Sequence, residues 1–143
     1  MMPEKLQQLI DMFQSFDPAD RTDLLLSYAD QFKEVPPSIA TRPFATSHQV
    51  PQCESDAYVW ANKQADGTLK LYFAVENPSG ISAKALAAIL DKTLSGLPAS
   101  EIATVDCGIV EQIFRQNISM GKGMGLMSMV QAVRSLAKAA SQT

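Results

Sequence analysis

Sulfur and imidazole chemistry in this 143-residue chain is concentrated in three residues: Cys53, Cys107 and the only histidine, His48. Cys53 follows a proline-rich stretch and precedes the first β signal, so it is expected at a loop tip. Glu54 and Asp56 flank it, whereas a cysteine placed for packing normally has apolar neighbours. The thiolate is the reactive form, and adjacent carboxylates disfavour it. A reactive Cys53 would therefore need help from a partner or a conformational change. On composition alone, a thiol in such a place is more often incidental than chemical. Cys107 sits between Asp106 and Gly108 at a helix start. A helix N-terminus can activate a thiol, but free cysteines are so often buried that a partly buried helix residue is the better reading.

Other chemistries lack their residues. GKGMG, at 121–125, has neither the length nor the GK[ST] ending of a phosphate-binding loop. There is no G-x-S-x-G elbow and no H-E-x-x-H pair. An acyl-transfer triad would have to use His48, and no serine has the usual nucleophile context. The carboxylates are scattered, with no evident acid/base couple. Two cysteines and one histidine are too few for a closed zinc site or a cysteine-held iron–sulfur cluster. No metal and no cofactor is expected.

Length predicts one domain, residues 1–143, and 46% hydrophobic residues can bury a core. A net charge of −3 argues against nucleic acid as a partner. No apolar run suits a membrane span, which needs about 20 residues. The amino-terminal MMPEKLQQLIDMFQ carries Glu4 and Asp11 and resembles no targeting signal. The expected location is cytoplasmic, where thiols stay reduced; a chain whose transit peptide had been removed would look the same. Charge is uneven. Residues 1–52 hold four bases and seven acids, and every charged residue after Glu111 is basic: Arg115, Lys122, Arg134 and Lys138. The plain reading is a solvated helix end; the sharper one is a docking surface for an acidic partner.

The elements that must position Cys53 follow from periodicity. Leu6, Leu9, Ile10, Phe13 and Phe16 predict a helix over 4–16. Asp17-Pro18 starts a second, with Leu24, Leu25, Tyr28 and Phe32 inward, and Val35-Pro36-Pro37 stops it. Residues 34–52 read as a long loop, uncommon in a small domain and often functional. Alternation around Tyr58–Asn62 and Leu69–Val75, joined through Ala65-Asp66-Gly67, predicts a hairpin. His48-Gln49-Val50 could add an edge strand. Ser82 is expected to cap a helix carrying Leu86, Ile89, Leu90 and Leu94, closed by Gly96. Asp106 should cap one carrying Ile109–Phe114. Gly121–Gly125 reads as a hinge before a last helix from about Leu126 to Ala140. Trp60, Met124, Met127 and Met129 read as core; an adaptable contact surface is the minority reading for the methionines. The fold class is α+β: a small antiparallel sheet of two or three strands packed against N- and C-terminal helices.

The chain resembles the SufE-type sulfur acceptors, the Fe–S metabolism-associated domain, over about residues 4–140. The most specific stretch is HQVPQCESDAYVW, residues 48–60. The family pattern there is a valine, two residues, the acceptor cysteine, one residue, a serine, and a valine–tryptophan pair opening the strand. Val50, Cys53, Ser55, Val59 and Trp60 take those places. In the tail GKGMGLMSMVQAVRSLAKAA, Lys122, Gly125, Leu126 and Met129 match a basic residue, a glycine and an amphipathic last helix. Three positions depart from the pattern. Gln52 replaces the usual glycine before the cysteine. The Ser55–Val59 gap is two residues longer, so a bulged tip is expected. Lys122 replaces an arginine and lacks its planar fork.

The resemblance implies a SufE/IscU-like fold with the cysteine on a loop over the sheet. It implies that Cys53 accepts persulfide sulfur from a SufS-like cysteine desulfurase, a pyridoxal-phosphate enzyme, stimulates it, and passes the sulfur to a SufB-like Fe–S scaffold. An IscU-type scaffold would need several cysteines; a carrier needs one. Catalysis without the desulfurase is not expected. Glu54, Ser55, Asp56 and Lys122 are the expected partner-binding residues. A carrier's thiol must be sheltered when free and exposed when docked, which makes 34–56 the expected moving part. Two rivals stand beside this: a redox protein in which Cys107 resolves an oxidised Cys53, and a module that activates a desulfurase allosterically. Monomer and homodimer both remain open.

Overall fold

In a computed structural model, residues 2–142 are described, apart from the side chain of Gln116. The elements are α1 (Glu4–Ser15), α2 (Pro18–Asp30), a 3₁₀ turn (Thr46–His48), β1 (Ala57–Lys63), β2 (Leu69–Val75), α3 (Ile81–Leu94), α4 (Ala99–Ile102), α5 (Ile109–Phe114), a 3₁₀ turn (Arg115–Asn117) and α6 (Met120–Ser141). β1 and β2 form an antiparallel pair running from Ala57 opposite Val75 to Lys63 opposite Leu69. This is the expected α+β class.

The amphipathic stripes explain the packing. Leu6, Leu9, Ile10 and Phe13 of α1 are buried. α3 is buried nearly all round, through Ala85 to Leu90, as suits a central helix in contact with α1, α2, α6 and β2. Asp17 caps α2, accepting from the Asp20 amide at 2.9 Å, with Pro18 in the first turn. Between strands, the Asp66 carboxylate accepts from the Thr68 hydroxyl and amide. These bonds hold it below the usual carboxylate range.

Several expectations are corrected. Gly121–Gly125 is no hinge: it forms the first turns of α6, whose N-cap Ser119 accepts from the Lys122 amide at 3.3 Å. Gly80, not Ser82, precedes the first residue of α3. The Asp106 carboxylate accepts from Gly108, and α5 begins at Ile109, so Cys107 lies ahead of the helix. His48–Val50 forms no strand; the 3₁₀ turn ends at His48, and only Gln49 bridges to Tyr58. Met129 is core, but Met124 and Met127 are 52% and 39% exposed, because their positions fall on the solvent side of α6.

The 34–52 segment is not structureless. It covers the sheet face opposite the main core and makes a second apolar cluster from Val35, Phe44, Trp60 and Ala74. Phe44 packs against both Tyr58 and Trp60 with ring centroids 5.2 Å apart. The Val35 amide donates to the Phe73 carbonyl at 2.8 Å. Arg42 pairs with Glu34 and Glu76. The stretch through Val50 is thus anchored, and only the cysteine tip projects from it.

Arg21 is a buried cation, 3% exposed, whose guanidinium donates to the Phe16 carbonyl at 2.7 Å and to Asn117 Oδ1 at 3.2 Å. It closes the C-terminal end of α1, where a cation suits the helix dipole, and ties it to the turn before α6. Arg21→Met should destabilise the fold by about 2–3 kcal/mol, since hydrogen bonds to a charged group are lost and buried carbonyls are left unpaired. Urea unfolding followed by circular dichroism measures this.

Candidate functional site

The cysteine tip is built by hydrogen bonds at its base and by two glycines beneath it. Val50 donates to the Ala57 carbonyl at 2.8 Å, closing the loop ahead of β1. The Asp56 amide turns back onto the Cys53 carbonyl at 3.2 Å. The Ser55 and Asp56 carbonyls accept from Asn77 and Glu76, both at 3.1 Å, carrying the β1–β2 ladder past the strand ends. The longer Ser55–Val59 spacing is taken up here, with Asp56 at φ 49°. Gln52 sits at φ 60°. Glycine enters that left-handed region without penalty, and a glutamine does so at about 1–2 kcal/mol.

Helix α6 passes directly under the tip. A β-carbon placed on Gly125 would lie 3.3 Å from both Cys53 Cα and the Gln52 carbonyl oxygen. A β-carbon on Gly80 would lie 2.9 Å from Ser55 Cβ and Oγ. Cys53 therefore rests on α6 and Ser55 on the start of α3, each where no side chain intervenes. Sequence reasoning misses both seats, because Gly80 reads as part of a strand-breaking turn and Gly125 as part of a hinge.

Beside the seat lies a cleft of about 150 Å³. Cys53, Glu54 and Ser55 form one wall, residues 79–83 at the start of α3 a second, and Gly121, Lys122, Gly125 and Leu126 of α6 a third. Four expected site residues, Cys53, Glu54, Ser55 and Lys122, meet here; Asp56 is exposed beyond the lining. Cys53 is partly buried and packs against the main core. The N-terminal ends of two long helices and Lys122 supply a positive field to the cleft, which opposes that of Glu54 and Asp56. A cleft of this size admits extra atoms on the thiol while its walls limit bulk solvent.

The other chemistry-bearing residues lie elsewhere. The Cys107 thiol is 3.5 Å from the Met127 carbonyl and 3.6 Å from Gln131 Oε1. Positions 127 and 131 are roughly 120–160° around α6 from position 125, so the two cysteines address different faces of the helix. His48 Nδ1 is 3.0 Å from the Val59 carbonyl, to which it must donate, and the ring stacks on Trp60. His48 thus pins the loop to β1. It lines a separate cavity of about 310 Å³ against α6, and a third, of about 440 Å³, lies beside β2; neither contains a cysteine. Among the described residues no cluster of His, Cys, Asp and Glu is suited to a metal, and no helix is long and apolar enough to cross a membrane.

Comparison with known proteins places this geometry. Residues 7–137 match the SufE family, described as the Fe-S metabolism associated domain. The chain belongs to that family, and its role lies in Fe–S metabolism. It is 28% identical over 136 residues to SufE-like protein 1, chloroplastic/mitochondrial, of Arabidopsis thaliana. The match covers 93% of this chain and 34% of the relative, so the chain spans about a third of that protein's length. The fold is similar to a solution structure of a hypothetical protein from Thermus thermophilus, with a TM-score of 0.83, 24% identity and complete coverage of both chains.

The seat makes a direct prediction. Gly125→Val should leave the helical content intact but lift the tip off α6. The rate of Cys53 alkylation by iodoacetamide should then rise several-fold relative to that of Cys107. An unchanged ratio of rates would show that the tip does not depend on contact with α6.

Proposed function

We propose that Cys53 is a sulfur acceptor: it takes a sulfane sulfur from a persulfide on a cysteine desulfurase, stimulates that enzyme by relieving it of product, and delivers the sulfur to a SufB-like Fe–S scaffold. The observation that carries this reading is the seating of one thiol, partly buried, at the wall of a small cleft in a chain of the SufE family.

The Cys53 thiolate attacks the outer sulfur of the desulfurase persulfide. A new S–S bond forms to Cys53, the old S–S bond breaks, and the desulfurase cysteine leaves as a thiolate. Thiols and disulfide-type bonds are conserved, so no external oxidant or reductant enters. Lys122 and the first residues of α3 and α6 line the cleft into which the transferred sulfur projects. The cleft walls shelter the product. Glu54, Ser55 and Asp56 carry the tip's polar contacts to the partner, and Lys122 the contact on the opposite wall.

A protein that works in this way needs no second thiol. The placement of Cys107 on a different face of α6 supports the carrier over a redox protein in which Cys107 resolves Cys53. Incubation with cysteine and a loaded cognate desulfurase, followed by alkylation and peptide mass spectrometry, should find one added sulfur on the Cys53 peptide. Cys53→Ser should abolish the transfer and Cys107→Ser should leave it within twofold. Absence of added sulfur on the wild-type chain, with the donor shown to be loaded, overturns the proposal. Full stimulation of the desulfurase by Cys53→Ser would favour an allosteric module.

A further inference from the structure

The solvent face of α6 carries a continuous stripe that the sulfur-transfer chemistry leaves unused. Met120, Met124, Met127, Gln131, Arg134 and Lys138 follow one another at spacings of four, three, four, three and four residues, the spacing that keeps one side of a helix aligned with a partner helix. The amino-terminal half is apolar and open, with Met120 87%, Met124 52% and Met127 39% exposed. Most of the exposed large apolar residues in the described chain are either on this stripe or, as with Ile81, at the start of α3 beside the cleft. The other half is basic. Among the described residues no carboxylate pairs with Arg134 or Lys138; Arg134 Nη1 donates to Gln131 Oε1 at 3.5 Å, and its Nε is buried with no hydrogen-bond partner. Arg42 and Lys70, by contrast, are in ion pairs.

Such a stripe is complementary to an amphipathic segment that is apolar at one end and acidic at the other. Methionines suit the apolar end, because a flexible thioether adapts to varied surfaces. Its position is informative too: it begins at Met120, beside the Gly121 that lines the Cys53 cleft, and runs about 27 Å along α6 away from it. We infer that this stripe is a second docking surface for the cysteine desulfurase, engaging an acidic amphipathic segment of that enzyme while its persulfide enters the cleft. The inference rests on the sulfur-acceptor reading for the identity of the partner. The acids of the tip and the bases of α6 then form a two-signed pattern that fixes the orientation of docking.

Binding of the full chain to the cognate desulfurase, measured by titration calorimetry across a salt series, tests this. The Arg134→Glu/Lys138→Glu double variant should bind about tenfold more weakly at low salt and lose most of the salt dependence. Met124→Asp should weaken binding at all salt concentrations. With either variant at saturating concentration, the single-turnover rate of sulfur transfer to Cys53 should stay at the wild-type value, because the cleft is untouched. Circular dichroism checks that each variant is folded, and Lys138→Glu alone serves where the double variant is not. Wild-type affinity and salt dependence in the variants, with Cys53 still loaded, overturn the docking surface and leave the acceptor reading standing. Tight binding that responds to the variants, with no sulfur ever reaching Cys53, overturns the acceptor reading and keeps the docking surface. If the variants instead shift the sedimentation of the chain alone, the stripe is a contact between two copies and the inference fails.

Discussion

The site depends on one steric constraint: the cysteine tip lies against two helix starts at points where neither has a side chain, through backbone at Cys53 and through the side chain at Ser55. Cys53 meets α6 at Gly125, and Ser55 meets the start of α3 at Gly80. A side chain at Gly80 would clash at 2.9 Å and one at Gly125 would press on the tip at 3.3 Å, so the two glycines set the height of the tip above the core. Everything else at the site is arranged around that height. At this height the Ser55 and Asp56 carbonyls accept from the Asn77 and Glu76 amides beyond β2. A cleft of about 150 Å³ lies between the starts of the two helices and the tip.

The same constraint explains which parts of the preceding segment are rigid. A tip that rests on two glycines meets no side chain there, and its apolar packing comes from Cys53. Its stability therefore comes from its flanks. On one side, His48 bonds to Val59 and Val50 inserts into the main core. On the other, β1 enters the sheet at Ala57. Upstream, the Phe44–Trp60 cluster and the Arg42 ion pairs hold the proline-rich cover on the outer sheet face. Local opening then needs only the few contacts between 51 and 56 to break, while the residues on either side keep their places.

Much of this is legible in the sequence. The stripes of α1, α2 and α3 and the alternation of the two strands report the elements, because burial on one face leaves a period that a reader can count. The residues at 48–60 report the family. What is not legible has a common physical cause: glycine carries two opposite meanings. Gly121, Gly123 and Gly125 read as a hinge, since glycine lowers helix propensity by about 1 kcal/mol each. In the fold, Ser119 caps the segment, Leu126 and Met129 bury its inner face, and Gly125 is small because the tip needs the space. Tertiary packing outweighs local preference. The exposed Met124 and Met127 read as core for a related reason: an apolar residue reports a contact without saying whether that contact is inside the chain.

For the proposed sulfur carrier, the seat and the α6 stripe would together resolve a tension between two demands. A thiol sheltered enough to keep a labile sulfur is also hidden from the enzyme that must supply it. A partner that recognised only the tip would have only the short segment 51–56 to hold. Under the proposed scheme, recognition along α6 would separate the two tasks. Docking free energy would come from side chains on the outer face of the helix, and the chemistry would take place on its inner face, at Gly125. The helix is one rigid element of 22 residues, so a partner seated on its outer stripe has a defined position relative to the seat without touching the thiol. Shelter and access would then cease to be opposed, since the surface proposed for recognition is not the surface that must stay covered.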